Sequence, residues 1–366
     1  MTSTSHSLDL NQTGLTTKTV ITTPAAADPL VSDFVYNLVS YVILRSGVQV
    51  VLRVFGICAN VINILVFLKA GPVDSVTAGF LGLAVADLCF LMIFLASIAL
   101  IIMDKSFVVY SKIDLSSLSF VISMYPIMFG DVSYLITTYL AIQKACCVAI
   151  PLRFKNVFTR TRSIAVVIFT YVVALVYYCP IFVSMALDLQ PFRSTKSNSV
   201  KLYLLLSPFT RELLRLFRLI NKTIIPFATQ SVVILCLALL TTHLRRSSKF
   251  RQSMKAIKSS NAKGGNTDVA DVKGLRAIQS VTLMSAIFVA SNLPDICINI
   301  ATMLVPEFND RKFLNNLYWV VEESSNIFPI INSSVLILIY LKYNSGYYKQ
   351  FSKIFRRPSE LKKVKL

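Results

Sequence analysis

Histidine is almost missing from this chain: His6 and His243 are the only two in 366 residues. A zinc site leaning on imidazole is therefore not expected, and no Ser-His-Asp or Cys-His nucleophilic set is present. The seven cysteines, Cys58, Cys89, Cys146, Cys147, Cys179, Cys236 and Cys297, fall within or at the edge of apolar runs. None has metal-ligand spacing to a histidine, and they read as small apolar core residues. A phosphate-binding Gly loop is also lacking, so an enzyme is not expected. Charge is scarce as well. Only 15% of residues are charged and 55% are hydrophobic, with mean hydropathy +0.64. A soluble domain carries roughly 25% charged residues, and could not cover this much apolar side chain, so lipid must cover part of it.

Acids are half as common as bases, 18 against 37, for a net charge of +19. The bases cluster in short segments between apolar runs, as on the cytoplasmic face of a membrane protein. No RNA-reading motif or basic–aromatic interleaving accompanies them, so nucleic acid is not an expected partner. Residues 1–33 are rich in Ser, Thr and Ala and hold no apolar h-region. No cleavable signal peptide is visible, and the first span is expected to act as its own insertion signal.

A bilayer core takes about 20 mostly apolar residues per helix. The candidates are about 47–69, 75–103, 116–147, 163–187, 216–243, 274–305 and 315–341, the first with an option to begin earlier because 34–44 is also apolar. The expected fold is thus an all-α membrane protein, a seven-helix bundle. Residues Tyr347 to Phe355 alternate aromatic and basic side chains at helical spacing, which predicts an amphipathic helix lying on the membrane surface. No Cys follows Cys297, so that helix would hold the membrane without a palmitoyl anchor. The expected division is 1–41 as a largely disordered extracellular segment, 42–343 as the membrane domain, and 344–366 as a cytoplasmic amphipathic helix with a basic tail.

Orientation follows from Lys and Arg in the connections. Residues 148–163 hold Arg153, Lys155, Arg160 and Arg162 without an acid, residues 244–276 are basic against only Asp268 and Asp271, and the tail is basic against Glu360. Residues 1–41 carry Lys18 against Asp9, Asp28 and Asp33. Segment 188–218 breaks the pattern with an excess of bases. The balance places the N-terminus outside and the C-terminus in the cytoplasm, a multi-pass arrangement in the plasma membrane. Asn11-Gln12-Thr13 is then a glycosylation acceptor on the correct side.

Short patterns arrive in order along the spans. Gly56-Ile57-Cys58-Ala59-Asn60 is in the first, and Leu83-Ala84-Val85-Ala86-Asp87-Leu88 in the second. Gln143-Lys144-Ala145 followed by Val148-Ala149-Ile150-Pro151-Leu152 ends the third. Pro226 is in the fifth, Phe288 and Ser291-Asn292-Leu293-Pro294 in the sixth, and Asn332-Ser333-Ser334 through Tyr340 in the seventh. In this order, over about residues 47–356, they resemble the rhodopsin-like (class A) G-protein-coupled receptors, in the loosened form of invertebrate chemosensory and orphan receptors. Departures are visible. Lys144 and Gln143 stand where that family has Arg and an acid, Asn292 where it has Trp, and Leu336-Ile337 where it has Asn-Pro. Ser119 stands at the third-span Cys position and 188–215 has no Cys, so the family's outer disulfide cannot form.

The resemblance implies binding of an extracellular ligand, a chemosensory small molecule or a peptide, and activation of a heterotrimeric G protein by movement of the fifth and sixth helices. Asp87, an ionisable group at mid-span, would be partnered by Ser133, Asn60 and Asn332. The resemblance implies an allosteric sodium ion there; the alternative is a hydrogen-bond network around a protonated Asp. No other cofactor is expected. Lys144, Pro151, Phe288, Pro294 and Tyr340 take the family's coupling and activation positions, and Gln143 lacks the charge to lock Lys144 at rest. Embedded polar groups are functional candidates by default. Asp131, Asn292 and Asp295, with Arg218, Lys222, Glu322, Glu323 and Asn326, are the candidates for the ligand mouth. Internal pairs, Asp295–Lys222 or Asp131–Arg218, are the structural alternative. Pro126 occupies the position where amine receptors carry their Asp, so an amine held in that way is disfavoured. A seven-helix transporter or ligand-gated channel is the competing class; it accounts for the span count and embedded acids but not for the ordered motifs.

Overall fold

The computed structural model describes residues 30–69, 74–106, 112–193, 200–258, 267–310 and 312–355. Asn11 lies outside the described residues, as do the side chains of 244–278. Among the described residues, seven helices are long and apolar enough to cross a membrane: Asp33–Lys69, Ser75–Asp104, Leu115–Ala149, Arg160–Leu187, Pro208–His243, Gln279–Leu304 and Asn315–Tyr343. Side-chain oxygens cap several of them, each accepting a backbone N–H that the first turn leaves free. Asp74 accepts from Thr77 at 2.7 Å, Asp114 from Ser117 at 2.8 Å and Thr159 from Arg162 at 3.4 Å.

The first span takes the earlier start that the apolar 34–44 stretch offered, and the fifth starts well before its expected beginning. The first span begins at Asp33, capped by Ser32, and continues as a π-helix over Asn37–Val48. Residues 33–41 therefore belong to the first helix rather than to the preceding segment. The fifth span begins at Pro208 rather than near 216. Ser207 caps it, accepting from Thr210 N at 3.2 Å, and Pro208 sits at the first helical position where its missing N–H costs nothing. Glu212 and Arg215 interrupt the leucines of this opening stretch and are exposed, so a hydropathy reading passes over it.

Prolines set the irregularities. Pro126 cannot donate to the Ile122 carbonyl, and the third span is divided at Ser123 between Leu115–Ile122 and Met124–Ala149. Pro329 does the same for Ser325, and the seventh span is divided at Asn326. In the fifth span Pro226 leaves the Lys222 carbonyl without its helical donor, and Asn299 of the sixth span supplies one at 2.7 Å. Beside Pro294, Gln230 donates to the Val289 carbonyl at 2.9 Å.

Without a hydrophobic drive between helices in lipid, close packing and small residues bring them together. Leu83, Ala86, Val132, Ile136 and Leu140 fill the seam between the second and third spans. A Cβ on Gly56 would collide with Ser334 and Leu91, so only glycine lets the first and seventh spans approach there. Phe169 and Val176 of the fourth span, 67% and 69% exposed, face outward as lipid contacts would.

At one end of the bundle, the hairpin end, strands β1 (Leu189–Arg193) and β2 (Val200–Leu204) pair antiparallel. Leu202 exchanges backbone bonds with Lys112 and Asp114 at 2.8 and 2.9 Å, and Leu204 N donates to Ser117 Oγ at 3.1 Å. These hydrogen bonds tie the hairpin to the start of the third span, the job a disulfide would do. Ser119, at the missing Cys position, donates to the Ser97 carbonyl at 2.8 Å instead. At the opposite end, the tail end, the helix Ser345–Phe355 lies against the bundle. Tyr347 anchors it, its hydroxyl donating to Asn63 Oδ1 at 2.7 Å.

Candidate functional site

Near the hairpin end the spans enclose a chamber of about 280 Å³. Six of the expected mouth residues, Asp131, Asn292, Asp295, Lys222, Glu322 and Asn326, line it together. Lys222 is central. Its Nζ lies 3.3 Å from Glu322 Oε1 and 4.0 Å from Asp295 Oδ2, so one cation from the fifth span holds acids of the seventh and sixth. Asp295 also accepts from the Ser325 hydroxyl. The Asp295–Lys222 pair is therefore present, with Glu322 the closer partner.

Asp131 and Arg218 are not paired. Asp131 accepts from Tyr178 at 2.5 Å, and Tyr178 oxygen in turn accepts from Asn221 Nδ2 at 2.5 Å. Tyr177 closes this relay by donating to Asn221 Oδ1 at 2.8 Å. Arg218 lies instead on a second cavity of about 240 Å³, walled by Phe120, Phe217, Tyr318 and Trp319. The two cavities share Ile127, Asn221, Lys222 and Glu322, so the Lys222–Glu322 pair stands between them.

The first span contributes a cluster that the sequence reading did not assemble. Gln49 and Arg53 stand one turn apart, on one face. Gln49 Oε1 accepts from Arg53 Nη1 at 2.9 Å, while its Nε2 donates to the Glu323 backbone oxygen at 2.9 Å and Oε2 at 3.0 Å. Arg45 pairs with Glu323 Oε1 at 2.8 Å. Arg53 is 1% exposed, its guanidinium 4.2 Å from the Phe94 ring centroid. The signal was available: an arginine flanked by apolar residues within a span, with a hydrogen-bonding side chain four residues earlier.

Deeper in the bundle Asp87 Oδ1 accepts from Ser133 at 2.7 Å and from Ser333 at 3.0 Å. Its Oδ2 is buried without a partner. Asn60 bonds the Ser333 and Gly56 carbonyls at 2.8 and 3.0 Å, supporting Ser333 rather than the carboxylate. Here the expectation needs correction: Ser333, not Asn332, reaches Asp87. Neighbouring helical residues point about 100° apart, so a pattern match off by one position selects the wrong side chain.

Toward the tail end, Phe288 is fully buried and meets Tyr134 edge-on, centroids 5.5 Å apart. Tyr340 packs on Phe67, Phe80 and Tyr347 at 5.1, 5.0 and 5.4 Å, with its hydroxyl buried and unpartnered. Lys144 is buried on a cavity of about 190 Å³ with Asp74, Ser280 and Asn344. Gln143 donates to Ser75 Oγ at 3.0 Å, a neutral tie between the third and second spans. Pro151 opens a short helix, Pro151–Val157, and its side chain lies outside the described residues.

Among the described residues, seven apolar helices around a charged chamber make this a multi-pass membrane protein. A family profile described as Serpentine type 7TM GPCR chemoreceptor Srw matches residues 47–358, and the chain belongs to that family. No curated protein matches the chain.

Proposed function

We propose that the chain binds an extracellular ligand in the hairpin-end chamber and couples to a heterotrimeric G protein at the tail end. The hairpin end is then extracellular and the tail cytoplasmic, in the plasma membrane. The convergence of Lys222, Asp295 and Glu322 on one cavity carries the reading. These residues come from the fifth, sixth and seventh spans, so a ligand that exchanges the ion pairs changes what holds those helices together. Pro226 and Pro294 loosen the ladders below, and Asn299 and Gln230 join the fifth and sixth spans at those points. The two helices thus move as a coupled pair. At the tail end Phe288 and Tyr340 repack, and Lys144, which shares a cavity with Asp74 but forms no ion pair among the described residues, meets the G protein.

Asp87 is the proposed sodium site. An orphaned carboxylate oxygen beside two hydroxyls suits a hard cation. Asp87, Ser133 and Ser333 would hold it, and the ion would supply a positive charge that neutralises the buried carboxylate.

The test is nucleotide exchange on a panel of heterotrimeric G proteins in cells expressing the full chain, challenged with small metabolites and short peptides. Ligand-dependent exchange is expected, strongly reduced in Lys144→Ala and retained in Lys144→Arg, with a glycan on Asn11 reporting the outside N-terminus. Equal exchange in Lys144→Ala and Lys144→Arg would remove Lys144 from coupling. No exchange with any G protein, in correctly inserted chain, would defeat the receptor reading.

A further inference from the structure

After internal pairing, two charges on the chamber wall are left over. Lys222 is engaged by Glu322 and Asp295, and Arg45 by Glu323. Arg53 is in no ion pair among the described residues; its single acceptor is the neutral Gln49 Oε1, and its Nε is buried without a partner. Asp131 is likewise in no ion pair and accepts one hydrogen bond from Tyr178. A buried charge without an opposite charge is costly unless something neutralises it. Arg53 and Asp131 line the same cavity yet do not meet. Between them run Phe94, under the Arg53 guanidinium at 4.2 Å, and Phe90, which stands beside Gly130 next to Asp131. The two rings lie 6.2 Å apart and give the cavity an apolar wall between its charged ends.

We propose that the ligand is a small zwitterion, its carboxylate on the Arg53 fork and its ammonium on Asp131, joined by an apolar body along Phe90 and Phe94. This rests on the chamber being the ligand site. The planar guanidinium favours a carboxylate, which it can engage through two parallel hydrogen bonds. Asp131 supplies an acceptor already positioned by Tyr178 and Asn221. Because the charges sit at opposite ends of the wall, the occupant separates them by its own length, which disfavours an α-amino acid with both on one carbon.

The test uses the full chain in lipid nanodiscs and reads the thermal midpoint, which needs no G protein. The compounds are gamma-aminobutyrate, epsilon-aminocaproate, omega-aminocaprylate and para-aminomethylbenzoate, each with its methyl ester and its N-acetyl derivative. At least one parent zwitterion is expected to raise the midpoint saturably, with ester and N-acetyl forms binding at least about tenfold more weakly, the scale of one lost charge-assisted bond. In Arg53→Gln the acid and ester are expected to bind alike, and in Asp131→Asn the amine and its N-acetyl form. If either variant fails to fold, the wild-type comparison still decides. Silence from every zwitterion, or equal binding of parents and derivatives, overturns the proposal. Silence here alongside G-protein exchange with another ligand leaves the receptor reading standing, while the expected binding pattern without any exchange defeats that reading and leaves this one.

Discussion

The two ends of the bundle are built from different interactions. At the hairpin end seven charged side chains sit within the spans: Arg45 pairs with Glu323 and Lys222 with Glu322 and Asp295, while Arg53 and Asp131 hydrogen-bond to Gln49 and Tyr178. At the tail end Phe67, Phe80, Tyr340 and Tyr347 pack ring on ring, and Lys144 is buried without an ion pair among the described residues. Charged contacts in a low-dielectric interior are strong, directional and exchangeable for a ligand's own charges. Ring contacts tolerate several geometries of similar energy. One end is therefore suited to recognising a partner and the other to shifting between packings.

The comparison breaks most easily at Glu323, which joins Arg45, Gln49 and, through Gln49, Arg53. Glu323→Ala leaves Arg45 without its acid and takes a carboxylate acceptor from Gln49, which holds Arg53, and is expected to cost about 3–5 kcal/mol, the range for breaking a buried pair. Thermal unfolding in detergent measures it, and a double-mutant cycle with Arg45→Ala isolates the pair. A loss under about 1 kcal/mol would mean that water screens the cluster as it screens a surface bridge, and that charge does not hold this end.

Asp87 lies between the two regimes. If sodium occupies it, replacing choline chloride by sodium chloride at constant ionic strength is expected to stabilise the wild type by about 1–3 kcal/mol at saturating ion, by mass action on the folded state. Asp87→Asn removes the carboxylate charge and should lose that response. A wild type indifferent to sodium, with Asp87→Asn signalling normally, would leave a neutral hydrogen-bond network as the account of this site.

Much of this could be read from residues alone, because membrane spans obey a simple rule: an uninterrupted apolar length. The seven spans follow from it, and embedded acids such as Asp131 and Asp295 stand out against it. What a hydropathy window loses is direction around the helix. Arg53 and Gln49 count as minor interruptions in an apolar run, although their shared face decides that they meet Glu323. Ser333 and Asn332 are equally polar, and the structure rather than composition selects Ser333. The Pro208 start was signalled by Ser207-Pro208, a cap followed by an N1 proline, but charged residues in its first turns hid it. The hairpin's attachment to Lys112, Asp114 and Ser117 is mostly backbone hydrogen bonding, which leaves no mark in side-chain patterns.

That attachment carries the smallest expected effect. Asp188 closes the hairpin onto the fifth span: its Oδ2 accepts from Ser207 N at 2.8 Å and its backbone oxygen from Leu205 N at 3.0 Å. Burial alone would raise the Asp188 carboxyl, but hydrogen bonds from Thr210 and Ser207 outweigh it and hold the group below its ordinary value. A carboxyl with a lowered folded-state value stabilises the fold fully above the unfolded value, about 3.9, and loses that contribution as pH falls through the folded one. Protection of the 200–207 amides against hydrogen exchange, corrected for intrinsic rates, should therefore stay level from neutral pH to about pH 5 and weaken below about pH 4. Asp188→Asn should show reduced protection at neutral pH and little further change on acidification. Wild-type protection that persisted unchanged through the acid range would mean the strand pairing with β1 and Lys112 holds this loop unaided, and that the hairpin end owes nothing to charge at its rim.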